Sequence, residues 1–205
     1  MKISEINEQL KDGSPEEIMS YFLDLYKDDC VTTTNFSVHE AAILWCGVSI
    51  HNKMRVIWID SGYNTSKTYE FAKNLIDKLK LNIQVYTPAI TTAYRNTVLN
   101  GVPGLDDTEN HKIFTEEVKL EPFRRAFADV KPKVWFTLLR KEQTPEREKM
   151  DIVTLSKDNI IKVSPFFYFS EEELEEYIVK NNLPMERDYF DPTKVDSKRE
   201  CGLHL

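Results

Sequence analysis

The chain has 205 residues, 41% hydrophobic and 30% charged, with only 6 Gly and 9 Pro; this excludes a disordered or collagen-like polymer and fits one globular domain with a tail. A net charge of −7, from 27 basic and 34 acidic residues, argues against a general nucleic-acid binder but leaves room for a local basic pocket for a small anion. No apolar run has the length of a membrane span, and the three cysteines, Cys30, Cys46 and Cys201, lack C-x-x-C spacing, which excludes a disulfide scaffold and argues against a zinc ribbon.

In chain order, Met1 to Glu5 carries no apolar stretch of the secretory kind, and reduced thiols fit a cytoplasmic protein. Ser14-Pro15-Glu16-Glu17 reads as an N-cap, a first-position proline and an acidic first turn, followed by Ile18, Phe22 and Leu25 at helical spacing. Cys30 to Thr34 is a short buried strand, Val38 to Ile50 a buried helix, and Arg55 to Asp60 a strand ending in a loop. Thr65 to Leu79 has helical periodicity, and Asn82 to Tyr86 is another strand. Thr91 to Asn110 is a polar excursion without a predicted element. Thr115 to Val130 is helical and divided by Pro122.

Val134 to Leu139 is a fourth buried strand, Arg140 to Lys149 a charged loop, and Ile152 to Val163 holds one or two short strands. Ser170-Glu171-Glu172-Glu173 opens a helix with a capping-box pattern. The alternation predicts an α/β fold: a Rossmann-like, mostly parallel sheet with helices on both faces. Residues 1–183 form the expected domain, and Pro184 to Leu205, polar and without period, is expected to be a mobile tail.

In such a sheet, ligands bind at the carboxyl ends of strands. Three segments fall there. Thr32 to Ser37 reads either as an anion cradle of hydroxyls and backbone N–H groups or as a polar loop capping the next helix; it lacks the GxxxxGK[ST] pattern. Ile59-Asp60-Ser61-Gly62-Tyr63 reads either as a ribose- or adenine-binding turn or as a plain Asx turn. Arg140 to Arg147, with two Arg and a Lys, reads either as a forked anion clamp or as a solvated charged loop. Cys201 lies among Lys198, Arg199 and His204, surroundings that favour a thiolate; the alternative is an incidental exposed thiol. Cys30 and Cys46 sit in apolar contexts as small core residues, His39 reads as a helix N-terminal residue, and the four His show no metal-ligand spacing.

Taken together, these segments resemble the phosphoadenylyl-sulfate (PAPS) reductase family of the adenine nucleotide alpha-hydrolase-like (PP-loop) superfamily. Asn35 to Glu40 resembles its pyrophosphate-type loop, and Ile59 to Tyr63 its second nucleotide loop. Lys119 to Ala126 and Trp135 to Arg147 resemble two further motifs. Lys198-Arg199-Glu200-Cys201-Gly202-Leu203-His204 reproduces the family's most specific string.

The resemblance implies that the Cys201 thiolate attacks the sulfur of PAPS, expels adenosine 3′,5′-bisphosphate and holds a Cys S-sulfonate, which reduced thioredoxin or glutaredoxin converts to sulfite. It implies His204 beside the thiolate. It implies substrate contacts on Thr34, Asn35, Phe36, Ser37, Ile59, Asp60, Ser61 and Gly62, and on Lys119, Arg140, Lys141, Gln143, Arg147, Lys198 and Arg199. Iron–sulfur relatives carry a Cys-Cys pair where this chain has Phe114-Thr115, and no cysteine lies between Cys46 and Cys201, so a four-cysteine cluster cannot be built. A cluster-free PAPS reductase is the reading this favours, with a cluster-free adenylyl-sulfate (APS) reductase as the alternative. A PP-loop adenylyltransferase or a nucleotide-binding protein without reductase activity is a further alternative; such ligases carry SGGxDS, which is missing here. The departures from the family are Val38 and Asn35 in the first loop and a shortened Met185 to Ser197. A homodimer is the family's frequent assembly.

Overall fold

The computed structural model describes residues 2–104 and 106–194. A six-stranded sheet forms its centre: β1 (Cys30–Thr34), β2 (Arg55–Ile59), β3 (Asn82–Tyr86), β4 (Val134–Phe136), β5 (Val153–Leu155) and β6 (Ile161–Val163), in the order β3-β2-β1-β4-β6-β5. All neighbours pair in parallel except β5, which runs antiparallel to β6.

Side-chain alternation divides the sheet into two faces. Cys30, Val56, Trp58, Val134 and Phe136 join the larger core with α1 (Ile3–Leu10), α2 (Pro15–Tyr26), α3 (Glu40–Ile50), α4 (Ser66–Leu79) and α8 (Glu171–Lys180). Val31 and Ile57 point the other way, against Ala126 and Val130 of α7 (Glu121–Val130). Helices thus cover both faces, as the alternation predicts. Among the described residues no helix is long and apolar enough to cross a membrane.

Local chemistry sets several ends. Ser14 accepts the Glu17 amide while Glu17 answers to the Ser14 amide, and Ser170 and Glu173 repeat this box at α8. The expected excursion over Thr91 to Asn110 holds α5 (Thr92–Val98) and the start of α6 (Thr108–Thr115); Thr91 and Asp107 cap them with side-chain oxygens, a signal hidden by the weak apolar period. Pro122 does divide the Thr115 to Val130 run. It sits in the first turn of α7, and the chain before it widens into a π-helical turn, Glu116–Leu120. A proline ring clashes with the carbonyl four residues back, and the widened turn accommodates it. Lys119 lies on this turn.

The expected tail does not begin at Pro184 as a free chain. The Thr65 and Thr68 hydroxyls donate to the Asp188 carbonyl at 3.0 and 3.2 Å, Met185 packs on the core, and Thr193 is buried. Residues 195–205, which include Lys198, Arg199, Cys201 and His204, lie outside the described residues.

Candidate active site

The carboxyl ends of β1, β2 and β4 converge on a cavity of about 160 Å3. Thr34, Asn35 and Ser37 of the β1–α3 loop, Ile59 of β2, Lys119 of the π-helical turn, and Gln143 and Arg147 after β4 all line it. Segments separated by about a hundred residues in sequence thus meet where an open α/β sheet places its ligands.

The β1–α3 loop is held by its own side chains. The Phe36 amide donates to Thr34 Oγ1 at 3.0 Å, and the Ser37 amide to Asn35 Oδ1 at 3.0 Å. Both amides therefore already have acceptors, so the hydroxyls and the start of α3 carry the loop's polarity toward the cavity. Phe36, expected at the substrate, is a core residue. It is 1% exposed and packs edge-on against Trp58 at 4.9 Å, with its backbone in the left-handed region at φ 54°. Its ring fixes the loop from beneath.

The β2–α4 loop forms the Asx turn. Asp60 Oδ1 accepts from the Gly62 amide, Asn64 Nδ2 and the Tyr69 hydroxyl, each at 2.9 Å. Gly62 has φ +79°, and a Cβ there would stand 2.2 Å from Thr92 Oγ1, so glycine is required. Asp60, Ser61 and Gly62 flank the cavity's lining without being part of it.

After β4, Gln143 organises the cationic loop. Its side-chain oxygen accepts from the Arg140 amide at 3.0 Å and from the Arg147 guanidinium. Arg140 is buried; its Nη1 is 3.3 Å from Glu142, and its Nε is sealed from solvent without a partner. It lines an adjoining cavity of about 840 Å3 that shares Gln143, Arg147 and Lys194 with the first. Lys141 points elsewhere, its ammonium 5.5 Å from the Tyr168 ring centre.

His39 precedes α3 as expected, with Nε2 3.3 Å from Glu175 and 4.0 Å from Glu171. The three offer ligand atoms within 4.8 Å of one another. Arg187, at 2.7 Å from Glu175, and Arg140, at 3.9 Å from Glu171, share these carboxylates, so the group is a charge network.

Of the lining residues, Glu40 reads only as the end of the first loop motif, and Asp191 and Lys194 lie outside every motif read from the sequence. Glu40, in the first turn of α3, has a carboxyl that burial pushes up to about 7, against a hydrogen bond from Thr34. Asp191 sits 2.6 Å from Lys119 Nζ and also accepts from the Thr193 amide and hydroxyl. Lys194 adds a cation at the rim. Glu40 resembles an ordinary helix-start carboxylate, and Asp191 lies in a stretch without periodicity.

Cys30 and Cys46 are buried. Burial, with Asp29 and Asp28 adding to it, pushes the Cys30 thiol up to about 12. Burial likewise pushes the Cys46 thiol far above the ordinary range. Neither is a thiolate at neutral pH.

Comparison with known proteins settles the family. Residues 29–191 match the model for the phosphoadenosine phosphosulfate reductase domain. The chain belongs to the phosphoadenosine phosphosulfate reductase family. As a member it is an enzyme of that type. A phosphoadenosine 5′-phosphosulfate reductase of Synechococcus sp. is 28% identical over 227 residues, covering 99% of this chain and 97% of the relative. The fold matches a crystal structure of PAPS reductase from Candida auris in a phosphate complex, with a TM-score of 0.76 at 21% identity over 89% of this chain and 87% of that one. It also matches an FMN adenylyltransferase from Candida glabrata, with a TM-score of 0.62 at 11% identity over 84% of this chain and 55% of that one. The β1–α3 loop, the Lys119 turn and the Gln143 loop all lie within the family-matched span.

Proposed function

We propose that this chain reduces PAPS to sulfite and adenosine 3′,5′-bisphosphate, in the cytoplasm, with Cys201 as the nucleophile and reduced thioredoxin or glutaredoxin as the electron donor. Adenosine and its phosphates would occupy the cavity at the ends of β1, β2 and β4, with the charged groups toward Lys119, Gln143 and Arg147. The observation that carries the reading is the convergence of these side chains with the β1–α3 loop in one cavity of a family member.

The chemistry runs in two balanced steps. The Cys201 thiolate attacks the sulfate sulfur; an S–S bond forms, the S–O bond to phosphate breaks, and adenosine 3′,5′-bisphosphate leaves with the bonding pair. A donor thiolate then attacks Cys201 Sγ and expels sulfite, and its second thiol resolves the mixed disulfide. Sulfur falls from the sulfate to the sulfite oxidation level with two electrons from the dithiol. Attack by an anion on a polyanion needs neutralising charge, which Lys119, Arg140 and Arg147 of the described residues would supply, joined by Lys198 and Arg199. His204 would hold the thiolate.

Two facts support Cys201 over the other thiols. Cys30 and Cys46 are buried with raised thiols. Cys201 also follows Lys194, at the cavity rim, by seven residues, a span of at most about 25 Å when extended. With three cysteines in the chain, a four-cysteine cluster has too few ligands, which favours the cluster-free reaction. We assign residues 1–183 to the nucleotide-binding body and 184–205 to the segment that carries the nucleophile.

The test is sulfite release by the purified protein with reduced thioredoxin, with PAPS and APS run in parallel. Sulfite from PAPS at the higher kcat/KM is expected. Sulfite from APS alone would assign the other nucleotide, and none from either would reject the reductase reading.

A further inference from the structure

The cavity read as a polyanion site contains a carboxylate of its own. Asp191 Oδ2 lies 2.6 Å from Lys119 Nζ, with the two side chains 7% and 11% exposed, and Thr193 Oγ1 lies 3.1 Å from the same ammonium. Burial alone would raise the Asp191 carboxyl, but Lys119 and the Thr193 hydroxyl and amide outweigh it and hold it below its ordinary value. Asp191 is a full anion seated on the cation that the nucleotide reading gives to the substrate.

The segment around Asp191 makes further contacts with the body. Arg187 reaches Glu175 at the surface, Lys67 stands 3.9 Å from Asp188, and Thr65 and Thr68 donate to the Asp188 carbonyl. Among these contacts the Lys119–Asp191 pair is the buried one between opposite charges. The pair lines the cavity of about 160 Å3, which adjoins the one of about 840 Å3 through Gln143, Arg147 and Lys194. A ligand anion in this cavity meets Lys119 already paired with Asp191.

We infer that Asp191 is an internal competitor for Lys119: a phosphate or sulfate group of the ligand takes the ammonium, and Asp191 gives it up. This deepens the nucleotide-site reading and rests on it. The exchange sets specificity as well, because a neutral nucleoside has no group to displace a carboxylate and leaves the pair intact. No bond to carbon, sulfur or phosphorus changes in the exchange, only which anion pairs with Lys119.

The sign of one substitution separates this role from a structural one. If Asp191 merely orients Lys119, removing it weakens anion binding; if it competes, removing it strengthens binding. Calorimetric titration with adenosine 3′,5′-bisphosphate as probe should show Asp191→Asn binding about ten-fold tighter than wild type, with a larger ligand-induced rise in Tm. Thr193→Val, which keeps the carboxylate but loosens it, should show a gain of about three-fold and covers the case in which Asp191→Asn does not fold. Equal or weaker binding by a folded Asp191→Asn or Thr193→Val overturns the exchange alone. Failure of the wild type to bind the probe at all overturns the nucleotide-site reading and the exchange with it.

Discussion

The Thr34 hydroxyl joins the first loop to Glu40. It accepts the Phe36 amide at 3.0 Å and hydrogen-bonds the Glu40 carboxyl in the first turn of α3. That carboxyl lines the same cavity as Arg147 and the Lys119–Asp191 pair. Burial is what raises it to about 7.

A raised acid takes up a proton on folding. The stabilising proton is fully present below the unfolded value of 4.5 and is lost as pH rises toward about 7. Wild-type stability should therefore fall between pH 5 and 8 relative to Glu40→Gln, by on the order of 2–3 kcal/mol at about 1.4 kcal/mol per pKa unit. Thermal melts of both proteins across that window check this. Parallel curves would show that Glu40 is ionised throughout.

Gln143 bridges the Arg140 backbone and the Arg147 guanidinium with one oxygen, and it is itself exposed. Gln143→Ala should release Arg147 without unfolding the protein. Because the contact orients a charge present in both ground and transition states, KM for PAPS should rise roughly three- to ten-fold with kcat nearly unchanged. Steady-state kinetics decides the point; a fall in kcat at constant KM would place Gln143 in the chemical step instead.

Asn7 guards the open edge of the sheet. Its side chain accepts the Val153 amide at 2.8 Å and donates to the Val153 carbonyl at 3.0 Å, pairing the edge of β5 as another strand would. Asn7→Ala leaves both groups buried and unmet, at a cost of about 2–3 kcal/mol. A drop in Tm of roughly 4–10 °C is expected for a chain of this size, with the nucleotide site unaffected. A change under a degree would mean that water replaces the amide.

The strands and the main helices were legible because their signals are local. Cys30–Thr34 and Asn82–Tyr86 match the sequence expectation residue for residue, and Thr65 and Ser170 cap α4 and α8 where the chain spells caps. What was hidden depends on distant partners. α1 carries only Ile3, Ile6 and Leu10 as an apolar stripe, and its value lies in covering β5. Phe36 sits in a polar loop, and only the depth of Trp58 beneath it makes it core. Lys119 was legible as a site cation, but Asp191, 72 residues later, was not legible as its partner. A buried pair between two motifs leaves no spacing to read.

The most direct measurement is peptide mass mapping of the protein after incubation with PAPS and no added thiol. One sulfonate on Cys201 is expected, absent from Cys201→Ser and discharged as sulfite when reduced thioredoxin is added. A sulfonate on Cys30 or Cys46, or full sulfite release by Cys201→Ser, would contradict the assignment of the nucleophile.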